Sequence, residues 1–314
     1  MKRTIIITLC MLLIVSAFAV NNMAMADEKI YRIAFPSYYS EDCPAQGTIR
    51  TISIDEETDI NVYTPYGYDH DKQYDVVLLL HGSGGTIDDW LEREYNVFYR
   101  ADGNLLACRE IYDWAIYENK IKPIIVATIY NEVNGPFQAF GEKMNDVFRA
   151  IIDNFSTYAT DFSDEAMYAA REHFTIGGLS MGSILAIRYL LESNGFVGNA
   201  ILMSGFIDVR VHLPLLNKGG YHFNKIFVGC GKEDEKFYDN ALYTKRNLSK
   251  CADDCELRIY RYGHDWFTWT AGIYDALLYI VPSEESDHNK TQIAELIQTN
   301  IRDICLKVKG LEAL

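Results

Sequence analysis

The chain has 314 residues, with 29 Lys and Arg against 44 Asp and Glu, a formal charge of −15, and it is 49% hydrophobic and 23% charged. This is a globular composition, long enough to bury a core in one large domain or two smaller ones, and it excludes the disordered and fibrous classes. The acidic excess, offset by no run of Lys or Arg, argues against nucleic acid as a partner, because phosphates would be repelled.

The chain opens on a leader. Met1-Lys2-Arg3 is basic, residues 5–20 are apolar apart from Thr8 and Ser16, and Ala24-Met25-Ala26 offers a small-residue exit before Asp27. This reads as a secretory signal peptide over 1–26, leaving a secreted, extracellular chain with no membrane attachment. An uncleaved anchor is the alternative, disfavoured because the run falls short of a span of ~20 residues. Export permits disulfides. Cys10 leaves with the leader; Cys43, Cys108, Cys230, Cys251, Cys255 and Cys305 remain. Their pairing is not readable from sequence: Cys251 and Cys255 suit a local bridge, and buried or free thiols are the rival reading. There is no CxxC, HExxH or EF-hand loop, so neither a metal nor a cofactor is expected.

Two short strands are predicted over 48–54 and 58–63, joined by the acidic turn Asp55-Glu56-Glu57. The apolar run Val76-Val77-Leu78-Leu79-Leu80, closed by His81-Gly82-Ser83-Gly84-Gly85, suits a strand buried on both faces. A helix follows over 105–117 and a strand over 123–129. Met144, Val147, Phe148, Ile151, Ile152 and Phe155 recur at helical spacing and predict an amphipathic helix over 140–155. A strand over 174–177, a helix over 183–191, strands over 200–203, 225–229 and 257–260, and a helix over 272–280 complete the alternation. Ile293, Leu296, Ile297, Ile301, Ile304, Cys305 and Val308 share one face of a closing helix at about 288–309, with a partner-binding helix as the alternative. Alternating strands and helices predict an α/β fold, a mainly parallel sheet with helices on both faces, as a single domain over 27–314. In such sheets the chemistry sits at the C-terminal strand ends, where the glycine-rich turns fall.

Gly178-Leu179-Ser180-Met181-Gly182 fits G-x-S-x-G between a predicted strand and helix, the setting of a nucleophile elbow. The turn is tight enough to demand glycine, and it lifts the Ser180 hydroxyl to the positive end of a helix. A hydroxyl needs a base. Of seven histidines, His70, His212 and His288 lie in polar or loop-like stretches. His173 precedes the nucleophile strand at its far end, and His81 belongs to the glycine-rich turn. His264, in Tyr262-Gly263-His264-Asp265-Trp266, follows a strand late in the chain and suits the order Ser, acid, His. For the acid that fixes the imidazole, Asp234 in Gly231-Lys232-Glu233-Asp234 is preferred, with Glu233, Asp239, Asp253 and Asp254 as rivals. The backbone N–H groups of Ser83 and Met181 are the candidate oxyanion donors. A phosphate loop or dinucleotide turn is discounted, because His81–Gly85 holds neither Gly-Lys-Ser/Thr nor G-x-G-x-x-G. Trp90 and Trp266 are substrate-binding candidates, with Tyr130, Phe137 and Trp269 as further wall aromatics; core packing is the competing role for each.

These stretches resemble the feruloyl esterase and acetylxylan esterase group, carbohydrate esterase family one, within the esterase D-like α/β-hydrolases. The matching segments are Tyr66-Gly67-Tyr68-Asp69, Leu79–Gly85 with Asp89-Trp90, Phe155-Ser156-Thr157-Tyr158-Ala159, Ala170-Arg171-Glu172-His173, Gly177–Ser183, Met203-Ser204-Gly205, Gly231–Asp234, Gly263–Trp266 and Ile273-Tyr274-Asp275-Ala276-Leu277, over roughly 60–282. The resemblance implies an α/β-hydrolase fold with Ser180 as nucleophile, Asp234 as triad acid and His264 as base. Lys232 stands where the family often has Thr. It also implies feruloyl or acetyl esters of plant hemicellulose as substrates, either small esters or esterified polysaccharide. No carbohydrate-binding module or dockerin is evident, which weakens the xylan assignment more than the esterase one. A siderophore esterase, a thioester hydrolase and an acyltransferase share the same triad. A secreted binding domain that has lost activity is the non-enzyme alternative. Oligomeric state is not legible.

Overall fold

The computed structural model describes residues 29–93, 106–131, 137–193, 195–208, 210–218, 220 and 222–284. The leader expected over 1–26 and the closing helix expected at about 288–309, with His288 and Cys305, lie outside the described residues.

Nine strands form one sheet: β1 (Ile30–Tyr31), β2 (Thr48–Ser53), β3 (Asp59–Thr64), β4 (Asp75–Leu80), β5 (Ile124–Ile129), β6 (Phe174–Leu179), β7 (Asn199–Met203), β8 (Phe223–Gly231) and β9 (Ala252–Tyr260). Their order is β1-β9-β8-β7-β6-β4-β5-β3-β2. Pairing is parallel from β1 through β5, and β3 and β2 add antiparallel at the far edge. The described helices are α1 (Cys108–Tyr117), α2 (Phe137–Asn154), α3 (Asp164–Ala170), α4 (Met181–Glu192), α5 (His212–Lys218), α6 (Tyr238–Leu248) and α7 (Trp266–Ile280).

The continuous apolar run of β4 is buried along its whole length. Successive side chains point to opposite faces, so its residues feed two cores. Val76, Leu78 and Leu80 pack with Phe140, Met144 and Phe148 of α2 and with Ala186 and Leu190 of α4. Val77 and Leu79 pack with Ile111 and Tyr112 of α1 and with Ile273 and Leu277 of α7. Each such side chain contributes about 1.5–3 kcal/mol by leaving water. The stripe read from Met144 to Phe155 is the buried face of α2 and its exit.

β8 and β9 run longer than their apolar stretches predicted. The first half of β9, with Asp253, Asp254 and Glu256, is exposed or half-buried, so pairing with β8 rather than burial sets its length. Cys43, Cys108, Cys230, Cys251 and Cys255 are free thiols. The Cys251 and Cys255 thiols turn to different carbonyls, of Leu248 and Lys245, so the bridge weighed from their spacing does not form.

Candidate active site

β4, β6, β7, β8 and β9 end at one edge of the sheet, and the residues singled out from sequence gather there. At the end of β6 the chain reverses into α4 through Ser180, whose φ of 53° lies in the left-handed region. A side chain at Gly178 would sit 2.6 Å from the Leu80 carbonyl oxygen, and one at Gly182 would sit 2.4 Å from that same oxygen. The two glycines of G-x-S-x-G are therefore demanded by the approach of β4. The Ser180 N–H donates to the Met203 carbonyl at 2.9 Å, tying the elbow to β7.

Ser180, His264 and Asp234 form one hydrogen-bonded line. Ser180 Oγ lies 3.1 Å from His264 Nε2, and His264 Nδ1 lies 2.7 Å from Asp234 Oδ2. The Asp234 side chain is 2% exposed and that of His264 is 35% exposed. A buried, ionised carboxylate only accepts, so Nδ1 carries the proton and Nε2 is left to accept from the serine hydroxyl. Asp234 Oδ1 accepts from the Phe237 N–H at 3.3 Å, which fixes the carboxylate plane. The imidazole stacks on Phe237 (4.9 Å, 17°) and meets the edge of Trp269 (5.0 Å, 88°), so it has little freedom to swing away. Of the other acids, Asp265 accepts from the Gly263 and Thr268 N–H groups and caps α7. Asp253 lies 2.9 Å from His222 on the surface.

The glycine-rich turn after β4 runs beside the elbow: a side chain at Gly82 would approach Ser180 Cβ to 3.4 Å. Ser83 lies in this turn. Met181 opens α4, where a first-turn N–H has no partner within the helix. His81 is 1% exposed and braces the turn. Its Nε2 accepts from the Asn131 N–H at 3.1 Å, so its proton sits on Nδ1, which donates to the Gly82 carbonyl at 2.6 Å. The Asn131 side chain answers with two more bonds, accepting from the His81 N–H at 2.8 Å and donating to its carbonyl at 3.0 Å. Sequence reading missed Asn131; one asparagine after a strand carries no motif.

The aromatic candidates separate. Trp266 is half-buried and meets Trp269 and Trp90 edge-on at 5.3 and 5.2 Å. Trp90, a substrate-binding candidate weighed against core packing, is 1% exposed and donates its indole N–H to the Leu80 carbonyl at 3.0 Å, so it belongs to the core. Its ring backs that of Trp266. Tyr130 is 48% exposed over His81, and the Phe137 side chain lies outside the described residues. Phe206 stacks on Phe237 at 5.9 Å, extending the apolar wall beside His264.

Among the described residues, no cluster of three or more His, Cys, Asp or Glu side chains is arranged to hold a metal ion, and no helix is long and apolar enough to cross a membrane.

The family model Esterase ("Putative esterase") matches residues 51–280. The chain is 31% identical over 180 residues to endo-1,4-beta-xylanase Y of Acetivibrio thermocellus, a match that takes in 56% of this chain and 16% of the xylanase. It thus spans about a sixth of that relative's length. Among solved structures, one designated FAE aligns with a TM-score of 0.65 at 25% identity, covering 81% of this chain and 94% of the other. A serine-to-alanine mutant of the feruloyl esterase module from Clostridium thermocellum, complexed with sinapinate, aligns with the same TM-score and coverage at 24% identity. Matched by that family model over most of its length and built on a mainly parallel α/β sheet, the chain belongs to the Esterase family.

Proposed function

We propose that this chain is an extracellular esterase that removes feruloyl or acetyl groups from plant hemicellulose, with Ser180 as nucleophile, His264 as base and Asp234 as the acid that holds the base. The observation that carries the mechanism is the unbroken line from hydroxyl to imidazole to buried carboxylate. As Ser180 Oγ attacks the ester carbonyl, its proton passes to His264 Nε2, and Asp234 stabilises the resulting imidazolium through Nδ1–H. The carbonyl oxygen becomes an anion facing the N–H groups of Ser83 and Met181 at the positive end of α4. The C–O bond of the ester breaks, the alcohol leaves with the proton from Nε2, and water clears the acyl-serine by the same steps in reverse roles.

Support for the substrate class comes from the relatives' chemistry. One is a xylanase and another binds sinapinate, a hydroxycinnamate like ferulate. The half-buried rings of Trp266 and Phe206, backed by the buried Trp269 and Phe237, suit a flat acyl group. Secretion rests on the leader expected over 1–26.

The test is hydrolysis of methyl ferulate and of acetylated xylan by the purified protein and by Ser180→Ala. Turnover by wild type alone is expected, and equal rates in both proteins would dismiss the mechanism. If neither ester is cleaved while a fluorophosphonate still labels Ser180, the substrate class falls and the serine-hydrolase chemistry stands. N-terminal sequencing of protein recovered from the medium should begin at Asp27.

A further inference from the structure

Behind the proposed acid lies a chain of polar side chains that the mechanism above does not use. Ser204, at the end of β7, is fully buried and holds a φ of 46°, a backbone conformation that disfavours any residue with a side chain. Its N–H donates to the Gly229 carbonyl at 2.8 Å, which fixes it against β8. Its hydroxyl accepts from the Trp269 indole N–H at 3.2 Å, and it acts on the Cys230 thiol in the direction that lowers its pKa, against burial. Cys230 is fully buried, and its Sγ lies 3.8 Å from Asp234 Oδ2, the same oxygen that accepts from His264 Nδ1.

The donor inventory sets the direction of this chain. An indole N–H only donates, so the Ser204 oxygen accepts there and its one hydrogen is left to turn toward sulfur. An ionised carboxylate only accepts, so the thiol hydrogen goes to Asp234. Burial, with the Asp234 charge alongside, pushes the Cys230 thiol up to about 12, which keeps that hydrogen in place. Every dipole thus points from Trp269 toward Asp234. Trp269 also presses its ring edge on the imidazole, so the chain closes on itself around His264.

We infer that Ser204 and Cys230 are positioning residues for ester hydrolysis: through one directed hydrogen-bond chain they orient the Asp234 carboxylate and temper its hold on His264. The inference rests on the assignment of Asp234 and His264 made above. It explains why serine occupies a backbone position that would suit glycine. Glycine would relieve the conformation and delete the hydroxyl on which both the indole and the thiol depend.

The groups around the imidazole are few. Asp234 faces it from the turn after β8, Ser180 from the elbow, and the Phe237 and Trp269 rings from α6 and α7. Nearby, Asp265 is committed to capping α7, Lys232 lies over the Tyr238 ring and Lys236 over the Phe237 ring; Glu233 is exposed. Removing the thiol therefore leaves Asp234 a stronger acceptor with little else to compensate. The imidazolium becomes easier to form, and the acidic limb of kcat/KM moves to higher pH.

The test uses p-nitrophenyl acetate with Cys230→Ala, Cys230→Ser and Ser204→Gly. Cys230→Ala should lower kcat about two- to tenfold with KM within twofold, and should raise the acidic limb by about half a pH unit. Cys230→Ser, which keeps a donor, should restore both. Ser204→Gly should fold and shift the limb in the same direction. A folded Cys230→Ala with a wild-type limb and rate overturns the inference. If Cys230→Ala fails to fold, a wild-type profile in Ser204→Gly overturns it instead. Should wild type hydrolyse no ester at all, the NMR resonance of the His264 Nδ1 proton still reads the Asp234 bond. A shift in Cys230→Ala supports the positioning role, and an unmoved resonance refutes it, independently of the fate of the proposed reaction.

Discussion

Among the described residues, two histidines meet a buried aspartate through Nδ1 with nearly the same geometry at opposite ends of one sheet. At the C-terminal strand ends, His264 Nδ1 meets Asp234 at 2.7 Å. At the N-terminal ends, His173 Nδ1 meets Asp75 at 2.8 Å. Both aspartates are buried, and both imidazoles are partly exposed and packed on an aromatic ring: Phe237 in one, Tyr158 in the other. What differs is the other nitrogen. His264 Nε2 faces Ser180 at the head of α4, whereas His173 Nε2 lies 3.7 Å from the exposed Glu172. A carboxylate that orients an imidazole is thus common structural currency; the hydroxyl and the helix start in front of it turn a brace into a candidate base.

The largest test of that contrast is Ser180→Ala, expected to cost about 10⁵–10⁶ in kcat toward any ester the wild type cleaves. Asp234→Asn should cost about 10⁴ with KM little changed, since the wrong imidazole tautomer would face the serine. At the other pair, Asp75→Asn should leave kcat/KM within twofold and instead lower unfolding free energy by about 1–2 kcal/mol in urea melts. A kinetic loss at Asp75 comparable to that at Asp234 would erase the distinction between the two ends. Asn131→Ala removes the two side-chain bonds to the His81 backbone in the turn beside Ser180, and should lower kcat about tenfold to a hundredfold by misplacing the oxyanion donors.

A third histidine sharpens the point by having no carboxylate hydrogen-bonded to its ring. His212 is 1% exposed, and its Nδ1 accepts from the Asp208 N–H at 3.0 Å. Burial pushes it down to about 4, against a partial pull upward from the Asp208 charge. Its folded value lies below the unfolded one, so the unfolded chain binds the proton first as pH falls. Stability should therefore decline from about pH 6.5 to about pH 4, by about 3 kcal/mol from this group, and His212→Gln should flatten that slope in melts across the range.

Sequence reading reached the strands whose apolar runs exceed what chance or a surface would allow, such as β4 and β5, and the helix α2 with its heavy stripe. It named no helix over Tyr238–Leu248, where Asp239, Asn240, Lys245, Arg246 and Asn247 leave a narrow apolar face, nor the two-residue strand β1. Ser180, Asp234 and His264 were legible because each sits at a strand end in the chain order that a right-handed α/β sheet imposes. Asn131 and Ser204 were not, because each is a single residue whose partner lies tens of positions away, and Cys230, though only four positions before Asp234, carries no motif that marks a thiol turned to the acid. Trp90 stood between substrate contact and core packing, because composition does not distinguish a ring that meets solvent from one that props its neighbour; its burial places it in the core.

The place of β9 in the sheet carries a consequence for how the protein is made. It lies between β8 and β1, and β1 adds to it through Ile30 with Ile259 and Tyr31 with Tyr260. The strand that delivers His264 is thus flanked on one side by a segment more than two hundred positions earlier. Such a long-range closure forms late and slowly in refolding. Regain of turnover after dilution from denaturant should then lag behind regain of far-ultraviolet ellipticity, so that ester cleavage serves as a clock for the last stitch of the sheet.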